Sequence, residues 1–103
     1  MSLRPEDAIS PASIVVAADD QISCDLAGEA AILNLKDGVY YGLDKVGADV
    51  WKLISTPRRV SEICDTLIEC YDVDRHQCLA DVVALLRDLA ASGLIHVRDE
   101  MAN

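Results

Sequence analysis

The sequence predicts an α+β fold in which N-terminal antiparallel strands, among them a β-hairpin, are followed by three α-helices. Two β-type runs flank the turn Lys36-Asp37-Gly38, and three segments with helical spacing of apolar residues come after it. The length of 103 residues suits one domain with a single core and is too short for a core plus a deep substrate cleft. We therefore expect one small globular unit.

The strands come first along the chain. Residues 1–12 contain two prolines among polar residues and show no periodicity, so we expect a flexible N-terminus and a domain spanning residues 13–98. Short β-type runs cover residues 14–17 and 22–26, with a turn between them. Residues 30–35 and 39–43 then form the hairpin, and Gly38 supplies the positive φ that a tight Asp-Gly turn needs.

The helices follow in order. Asp44 is the predicted N-cap of a helix over residues 46–54, and Ser61 is the predicted N-cap of a second helix over residues 63–71. A third helix starts with the capping pair Asp74 and Gln77 and ends at Gly93 as a left-handed C-cap. Residues 94–97 return as a short strand, and residues 99–103 are expected to be a flexible C-terminus.

Charge and hydropathy limit the classes of partner. The chain has 9 basic and 18 acidic residues, a net charge of -9 and a pI of about 4.4, which repels a phosphate backbone and attracts cationic segments. Plain solubility explains the same excess of acid equally well. No apolar run approaches the roughly 18 residues that cross a bilayer, and the first residues resemble no targeting signal. We expect a cytoplasmic protein that binds neither nucleic acid nor membrane.

Residue types typical of catalysis or metal binding do not occur in a recognisable pattern. The four cysteines lack Cys-x-x-Cys spacing, and neither histidine completes a ligand set, so we expect no metal and no cofactor. Cys64 lies on the apolar stripe of its helix and Cys78 at the edge of the next, which favours packing over reactivity. The sequence contains no Gly-rich phosphate loop, no Gly-x-Ser-x-Gly and no His-Glu-x-x-His. These absences favour binding over catalysis.

The second hairpin strand has the character of a peptide-binding edge. Alternation places Val39, Tyr41 and Leu43 on the core face and Tyr40 and Gly42 on the other face. A glycine inside a strand often marks the close approach of another backbone, and a free strand edge can accept a peptide through main-chain hydrogen bonds. The alternative is that Gly42 only relieves packing against a helix.

The third helix has an apolar margin beside its core face. Five residues cluster in the predicted core arc, namely Leu79, Val82, Val83, Leu86 and Ala90. Leu85 shares a margin with Cys78 and Leu89, and Asp81 and Asp88 lie just beyond it. An apolar strip edged by two carboxylates suits a groove for an amphipathic strand that carries Lys or Arg. The alternatives are an ordinary core position for Leu85 and simple solvation for the two aspartates.

These segments together resemble the PqqD-like family of recognition elements for RiPPs, the ribosomally synthesised and post-translationally modified peptides. The resemblance covers residues 32–97, about two thirds of the chain, through LNLKDGVYYGLD, VGADVWKLI, VSEICDTLIECYDV and DVVALLRDLAASGLIHV. It implies a winged-helix-like domain that binds the N-terminal leader of a precursor peptide and delivers it to a separate modifying enzyme. The chain is most similar to the discrete members that serve lasso-peptide leader peptidases, although members that serve radical-SAM enzymes share most of the pattern.

The resemblance also implies where the leader binds: it adds as a strand beside the last strand of the sheet and lies against the third helix. Combined with the margin described above, this predicts eleven peptide-binding residues, which are Val39, Tyr40, Tyr41, Gly42, Leu43, Cys78, Asp81, Val82, Leu85, Asp88 and Leu89.

Two other functions remain open. A winged-helix DNA-binding protein has the same order of elements, but its recognition helix would offer only Arg75 and Arg87 as basic groups beside two aspartates. A plain interaction module is the other, since exposed edges also promote strand exchange, so the protein is expected to be a monomer or a strand-exchanged dimer.

Overall fold

The structure is a computed structural model that describes residues 9–98. Strands and helices follow one another in this order: β1 Ile14–Ala17, β2 Gln21–Leu26, β3 Glu29–Asn34, β4 Tyr40–Leu43, α1 Lys45–Leu53, β5 Arg58–Arg59, α2 Val60–Cys70, α3 Arg75–Ala91 and β6 Ile95–Arg98. The expected α+β fold, with antiparallel strands ahead of three helices, is confirmed.

The strands form two separate three-stranded antiparallel sheets. One sheet has the order β5-β1-β6, and the other has the order β2-β3-β4. The first sheet joins segments from both ends of the described chain, since Val15 pairs with Val97. The two-residue strand β5, which pairs with β1, is absent from the sequence prediction because so short a run has no alternation to detect.

The β3–β4 turn is longer than the predicted Asp-Gly turn. The Asn34 amide donates to the Val39 carbonyl over 3.0 Å, so residues 35–38 form the loop. Gly38 adopts a φ of 72°, which confirms the predicted left-handed conformation, and its amide donates to the Asn34 carbonyl. The Asp37 carboxylate accepts from the Val39 amide, an Asx-type contact that closes the loop.

The helix caps explain most of the helix boundaries. Asp44 accepts from the Gly47 amide at 2.8 Å, and Asp74 accepts from the Gln77 amide at 3.1 Å, as the sequence predicts. The predicted cap at Ser61 is wrong. Helix α2 starts at Val60 directly after β5, and the Glu62 carboxylate accepts from the backbone amide of the N-cap residue, Arg59.

The core lies between the helices and the inner faces of both sheets. Its largest fully buried side chains are Ile32, Ile54, Ile63, Leu86, Leu89, Leu94, Val15, Val50, Val60 and Cys64. Ile9 is also part of this core, although it lies four residues before the predicted domain start at residue 13. Residues 1–8 of the predicted flexible N-terminus 1–12, and the whole predicted flexible C-terminus 99–103, lie outside the described residues. Across residues 9–98, no helix is long and apolar enough to span a bilayer.

The apolar face of α3 is rotated relative to the prediction. Its fully buried residues are Cys78, Val82, Leu86 and Leu89, whereas Leu79, Val83 and Ala90 are only half-buried against the core. The predicted position of Leu89 at the margin is therefore wrong, since Leu89 lies in the core. Cys78 is buried but also lines a groove beside α3. Helix α2 packs along α3, and this contact turns the 78-82-86-89 stripe inward.

Truncation of Leu86 tests this packing. We expect Leu86→Ala to lower the free energy of unfolding by about 2–5 kcal/mol, because the side chain is completely buried and its removal leaves a cavity. The neighbouring exposed residue supplies the control: Arg87→Ala should change the free energy of unfolding by less than about 0.5 kcal/mol. Urea denaturation followed by circular dichroism measures both, and equal effects would contradict the assigned face of α3.

Candidate functional site: an apolar groove beside a free strand edge

Strand β4 is an edge strand whose outward backbone groups can be identified. Among residues 9–98 it pairs only with β3, with Ile32 opposite Tyr41 and Ala30 opposite Leu43. In an antiparallel ladder, residue pairs joined by hydrogen bonds alternate with pairs that are not. Because the Asn34 amide donates to the Val39 carbonyl, the Ile32–Tyr41 and Ala30–Leu43 pairs are hydrogen-bonded as well. The N–H and C=O groups of Tyr40 and Gly42 consequently point away from β3, toward the free edge.

The opposite edge of the same sheet, β2, carries a charged residue on its inner side. Asp25 lies opposite the buried Ala30 and therefore projects toward the inner side of the sheet, where its carboxylate pairs with Lys52 of α1 at 3.2 Å. An inward-pointing charge at an edge is a common means by which natural sheets discourage pairing with another chain. Strand β4 carries no charged residue.

An apolar groove of about 720 Å³ runs beside the free edge. Strand β4 forms one wall, α1 and the end of α2 form another, and the first half of α3 forms the third. The lining side chains are predominantly apolar: Tyr41, Leu43, Val46, Val50, Leu67, Tyr71, Val73, Cys78, Val82 and Leu85. Two glycines, Gly42 and Gly47, and two aspartates, Asp44 and Asp81, complete the lining.

The two glycines of the groove have different roles. A Cβ added at Gly47 would lie 3.2–3.3 Å from the Leu43 and Asp44 side chains, so this glycine in the first turn of α1 leaves room for the end of β4 and the N-cap residue. A Cβ at Gly42 would meet nothing within 4 Å. The idea that Gly42 relieves packing against a helix is therefore wrong, and its surroundings are open.

The carboxylates along α3 have neutral partners. Asp81 accepts from the Gln77 side-chain amide at 2.9 Å, and Asp88 accepts from the Tyr41 hydroxyl at 3.4 Å. Partial burial, followed by the nearby Asp88 charge and this hydrogen bond, raises the pKa of Tyr41. The contact to Tyr41 links α3 directly to β4.

A second phenol closes the end of the groove. The Tyr71 hydroxyl, just beyond α2, donates to the Asp49 carboxylate of α1. This hydrogen bond is the main reason that the pKa of Tyr71 is raised to about 12, with desolvation and the Asp49 charge contributing further. It ties the segment after α2 to α1 across the groove.

Cys64 and Cys78 pack against each other at the α2–α3 interface. Both are buried free thiols, and Cys78 also lines the groove. Burial, with the adjacent Cys78 second, raises the pKa of Cys64 to about 11, so this thiol stays protonated and unreactive at neutral pH. This agrees with the predicted packing role of Cys64.

The groove brings together seven of the eleven predicted residues: Tyr41, Gly42, Leu43, Cys78, Asp81, Val82 and Leu85. Asp88 joins them through Tyr41. Val39 lies on the predicted face of the hairpin, beside Asn34 and Tyr41, but it is 60% exposed in the turn before β4 begins and does not line the groove. Leu89 is completely buried in the core, and the Tyr40 side chain is exposed on the outer face of the sheet.

Sequence reasoning missed the groove walls contributed by α1 and the end of α2. These are Asp44, Val46, Gly47, Val50, Leu67, Tyr71 and Val73. Their apolar members have ordinary core spacing, which carries no sign of a groove. The glycine in the first turn of α1 was the one available signal, because Gly47 costs helix stability unless close packing requires it.

The arrangement agrees with a family match over most of the described residues. Residues 29–95 match the family described as coenzyme PQQ synthesis protein D (PqqD), which is more than half of the 103 residues. The chain belongs to the PqqD family. The resemblance proposed from the sequence is thereby confirmed.

Individual PqqD-family relatives and structures support the assignment. A PqqA binding protein of Rhodopseudomonas palustris (strain HaA2) is 38% identical over 52 residues, which cover 50% of this chain and 51% of the relative, so the match spans about half of that protein. TbiB1, solved in complex with the TbiA(beta) leader peptide, is 34% identical with a TM-score of 0.74, covering 79% of this chain and 94% of TbiB1.

A more distant structure shares the PqqD fold. The PqqD truncation of Methylobacterium extorquens PqqCD, a stand-alone RiPP recognition element, has 21% identity and a TM-score of 0.75, with coverage of 90% of this chain and 99% of the other. This confirms the winged-helix-like arrangement that the sequence resemblance implies.

Because of the Tyr71–Asp49 hydrogen bond, we expect the stability of the fold to fall with pH in strongly alkaline solution. Tyr71 keeps its proton above its ordinary pKa of 10.0, so the hydrogen bond stabilises the fold fully below pH 10 and is lost as pH rises through about 12. Phenolate absorbance should show this late titration, and Tyr71→Phe should remove it. In Asp49→Ala the pKa of Tyr71 should fall toward 10.0, and an unchanged titration would contradict the contact.

Proposed function

We propose that this protein is a non-catalytic, cytoplasmic binding protein that recognises the leader of a ribosomally synthesised precursor peptide by β-strand addition to β4. It then delivers the leader to a separate modifying enzyme, in the first instance a lasso-peptide leader peptidase. The observation that carries the proposal is the free edge at Tyr40 and Gly42 beside the apolar groove.

The free edge of β4 supplies affinity for the peptide backbone, and the groove supplies the preference for particular side chains. Main-chain groups of Tyr40 and Gly42 bond any extended peptide, which gives affinity with little dependence on sequence. The groove receives the alternate side chains that point toward α3, and its apolar walls favour leaders with apolar residues there. Tyr41 lines the groove, and Leu85, half-buried between Asp81 and Asp88, is positioned to contact the incoming strand.

Similarity to TbiB1 supports a leader as the ligand, because that relative was solved with the TbiA(beta) leader peptide and shares 34% identity over nearly its whole length. A second candidate is a chaperone of the PqqD type for a radical-SAM enzyme, which the resemblance to the PqqA binding protein favours. The proteins encoded beside this gene distinguish the two. A transglutaminase-like protease with an asparagine-synthetase-like cyclase indicates the first, and a radical-SAM enzyme indicates the second.

The net charge of -9 and the exposed aspartates on α3 oppose the DNA-binding alternative. Charge also opposes self-association through β4, since two copies would bring like charges together. Light scattering distinguishes a monomer from a strand-exchanged dimer.

Proline at Gly42 tests strand addition directly. The N–H of Gly42 points away from β3, so Gly42→Pro leaves the β3–β4 ladder intact while removing a donor to the incoming strand. We expect affinity for a leader to fall by about 10-fold or more, because a main-chain bond is lost and the proline ring crowds the edge. Gly42→Ala, which keeps the N–H, should lose less.

The matched control is a proline at the other edge of the same sheet. The Leu35 amide donates to the Asp20 carbonyl, and hydrogen-bonded pairs alternate along the β2–β3 ladder. The Ser23–Ile32 pair is therefore not hydrogen-bonded, so the Ser23 N–H points away from β3, as the Gly42 N–H does. Ser23→Pro should therefore leave leader binding unchanged. Calorimetry measures the affinity of each variant for the leaders of precursor peptides encoded beside this gene and for the TbiA(beta) leader peptide. Absence of micromolar or tighter binding, or equal losses at the two edges, would overturn the proposal.

A further inference from the structure

Three side chains of α3 form an acid-apolar-acid row along the margin of the groove. Asp81, Leu85 and Asp88 are spaced i, i+4 and i+7, which places them on one side of the helix. Asp81 and Leu85 line the groove, and Asp88 contacts Tyr41 of β4. The row therefore faces the strip of space that a peptide added to β4 would occupy.

Within residues 9–98, no basic side chain pairs with the two aspartates of this row. The partners of Asp81 and Asp88 are the neutral groups of Gln77 and Tyr41. Among residues 9–98, no Lys, Arg or His lines the groove. The groove thus combines apolar walls with a negative margin, whereas other exposed acids, such as Asp65 with Arg75, pair within the chain.

The spacing of the row matches alternate residues of an extended peptide. Along a helix, Asp81 and Leu85 are separated by about 6 Å, and Leu85 and Asp88 by about 4.5 Å. Side chains on one face of a strand recur about every 6.8 Å. The mismatch is roughly 1–2 Å at each end, which the flexible stems of Lys and Arg can span.

We infer that the groove selects leaders with a basic residue, an apolar residue and a basic residue at alternate positions, [Lys/Arg]-x-apolar-x-[Lys/Arg]. The apolar residue packs on Leu85, and the two cations pair with Asp81 and Asp88. The pattern reads the same in both directions, so it does not depend on the direction in which the leader runs. This inference rests on the proposed function, since it specifies the peptide that β4 accepts.

Selection from a displayed library of random peptides tests the pattern without knowledge of the precursor. The full chain is immobilised, and enriched sequences are compared between wild type and the double variant Asp81→Asn, Asp88→Asn. Wild type should enrich basic residues on both sides of an apolar residue, and the double variant should keep the apolar preference but lose the basic one. Glu69→Gln, an exposed acid on α2 outside the groove, is the control for loss of charge alone.

Reversing the charges on both partners tests the ion pair between Asp88 and a basic residue of one enriched peptide. Asp88→Asn should weaken binding of that peptide by about 3- to 10-fold at low salt, and added salt should reduce the difference. Asp88→Lys should weaken it further, and replacing the matching peptide base by Glu should restore part of the affinity. Thermal unfolding of each variant establishes that the fold is retained.

The outcomes separate the two proposals. Enrichment of peptides without basic residues, or the same basic preference in wild type and double variant, overturns the charge pattern while leaving leader binding intact. Failure of wild type to enrich any peptide, together with no binding of natural leaders, overturns strand addition itself and the pattern with it.

Discussion

The register between β3 and β4 is the constraint on which the rest of the site depends. Ile32 is completely buried and lies opposite Tyr41, and Ala30 lies opposite Leu43. A slip of one residue would turn Tyr41 and Leu43 to solvent and Tyr40 and Gly42 toward the helices. It would also exchange which backbone groups face the free edge. Burial of one small set of side chains therefore determines both the groove wall and the pattern of free donors and acceptors.

A single buried amide keeps this hairpin in place relative to α3. The Asn34 side chain donates to the Ser92 carbonyl at the end of α3 over 2.8 Å, and its oxygen accepts from the Lys36 amide in the turn. At 5% exposure, such a polar group is tolerated because both ends are satisfied. The end of β3 is thereby linked to the end of α3. The distance between β4 and the Asp81-Leu85-Asp88 row is thus set by specific hydrogen bonds as well as by apolar contact.

Local signals in the sequence were sufficient for most elements but insufficient for their assembly. The positive φ of Gly38 and the caps at Asp44 and Asp74 were predictable because each depends on residues within a few positions. The pairing of β1 with β6 depends on residues about eighty positions apart, which no local pattern reports. The burial of Leu89 was mispredicted for a similar reason. The inward face of α3 is chosen by its contact with α2, and periodicity alone permits a rotation of that face.

The salt bridge between Asp25 and Lys52 has a consequence for stoichiometry. A sheet with two accepting edges can bind a strand on each side, and an extended peptide shared between such sheets would join molecules into open-ended chains. Here the charged inner side of β2 disfavours pairing at that edge, so the proposed strand addition would take place at β4. Under that proposal, the growth of this sheet ends after one added strand, and this sheet binds one peptide.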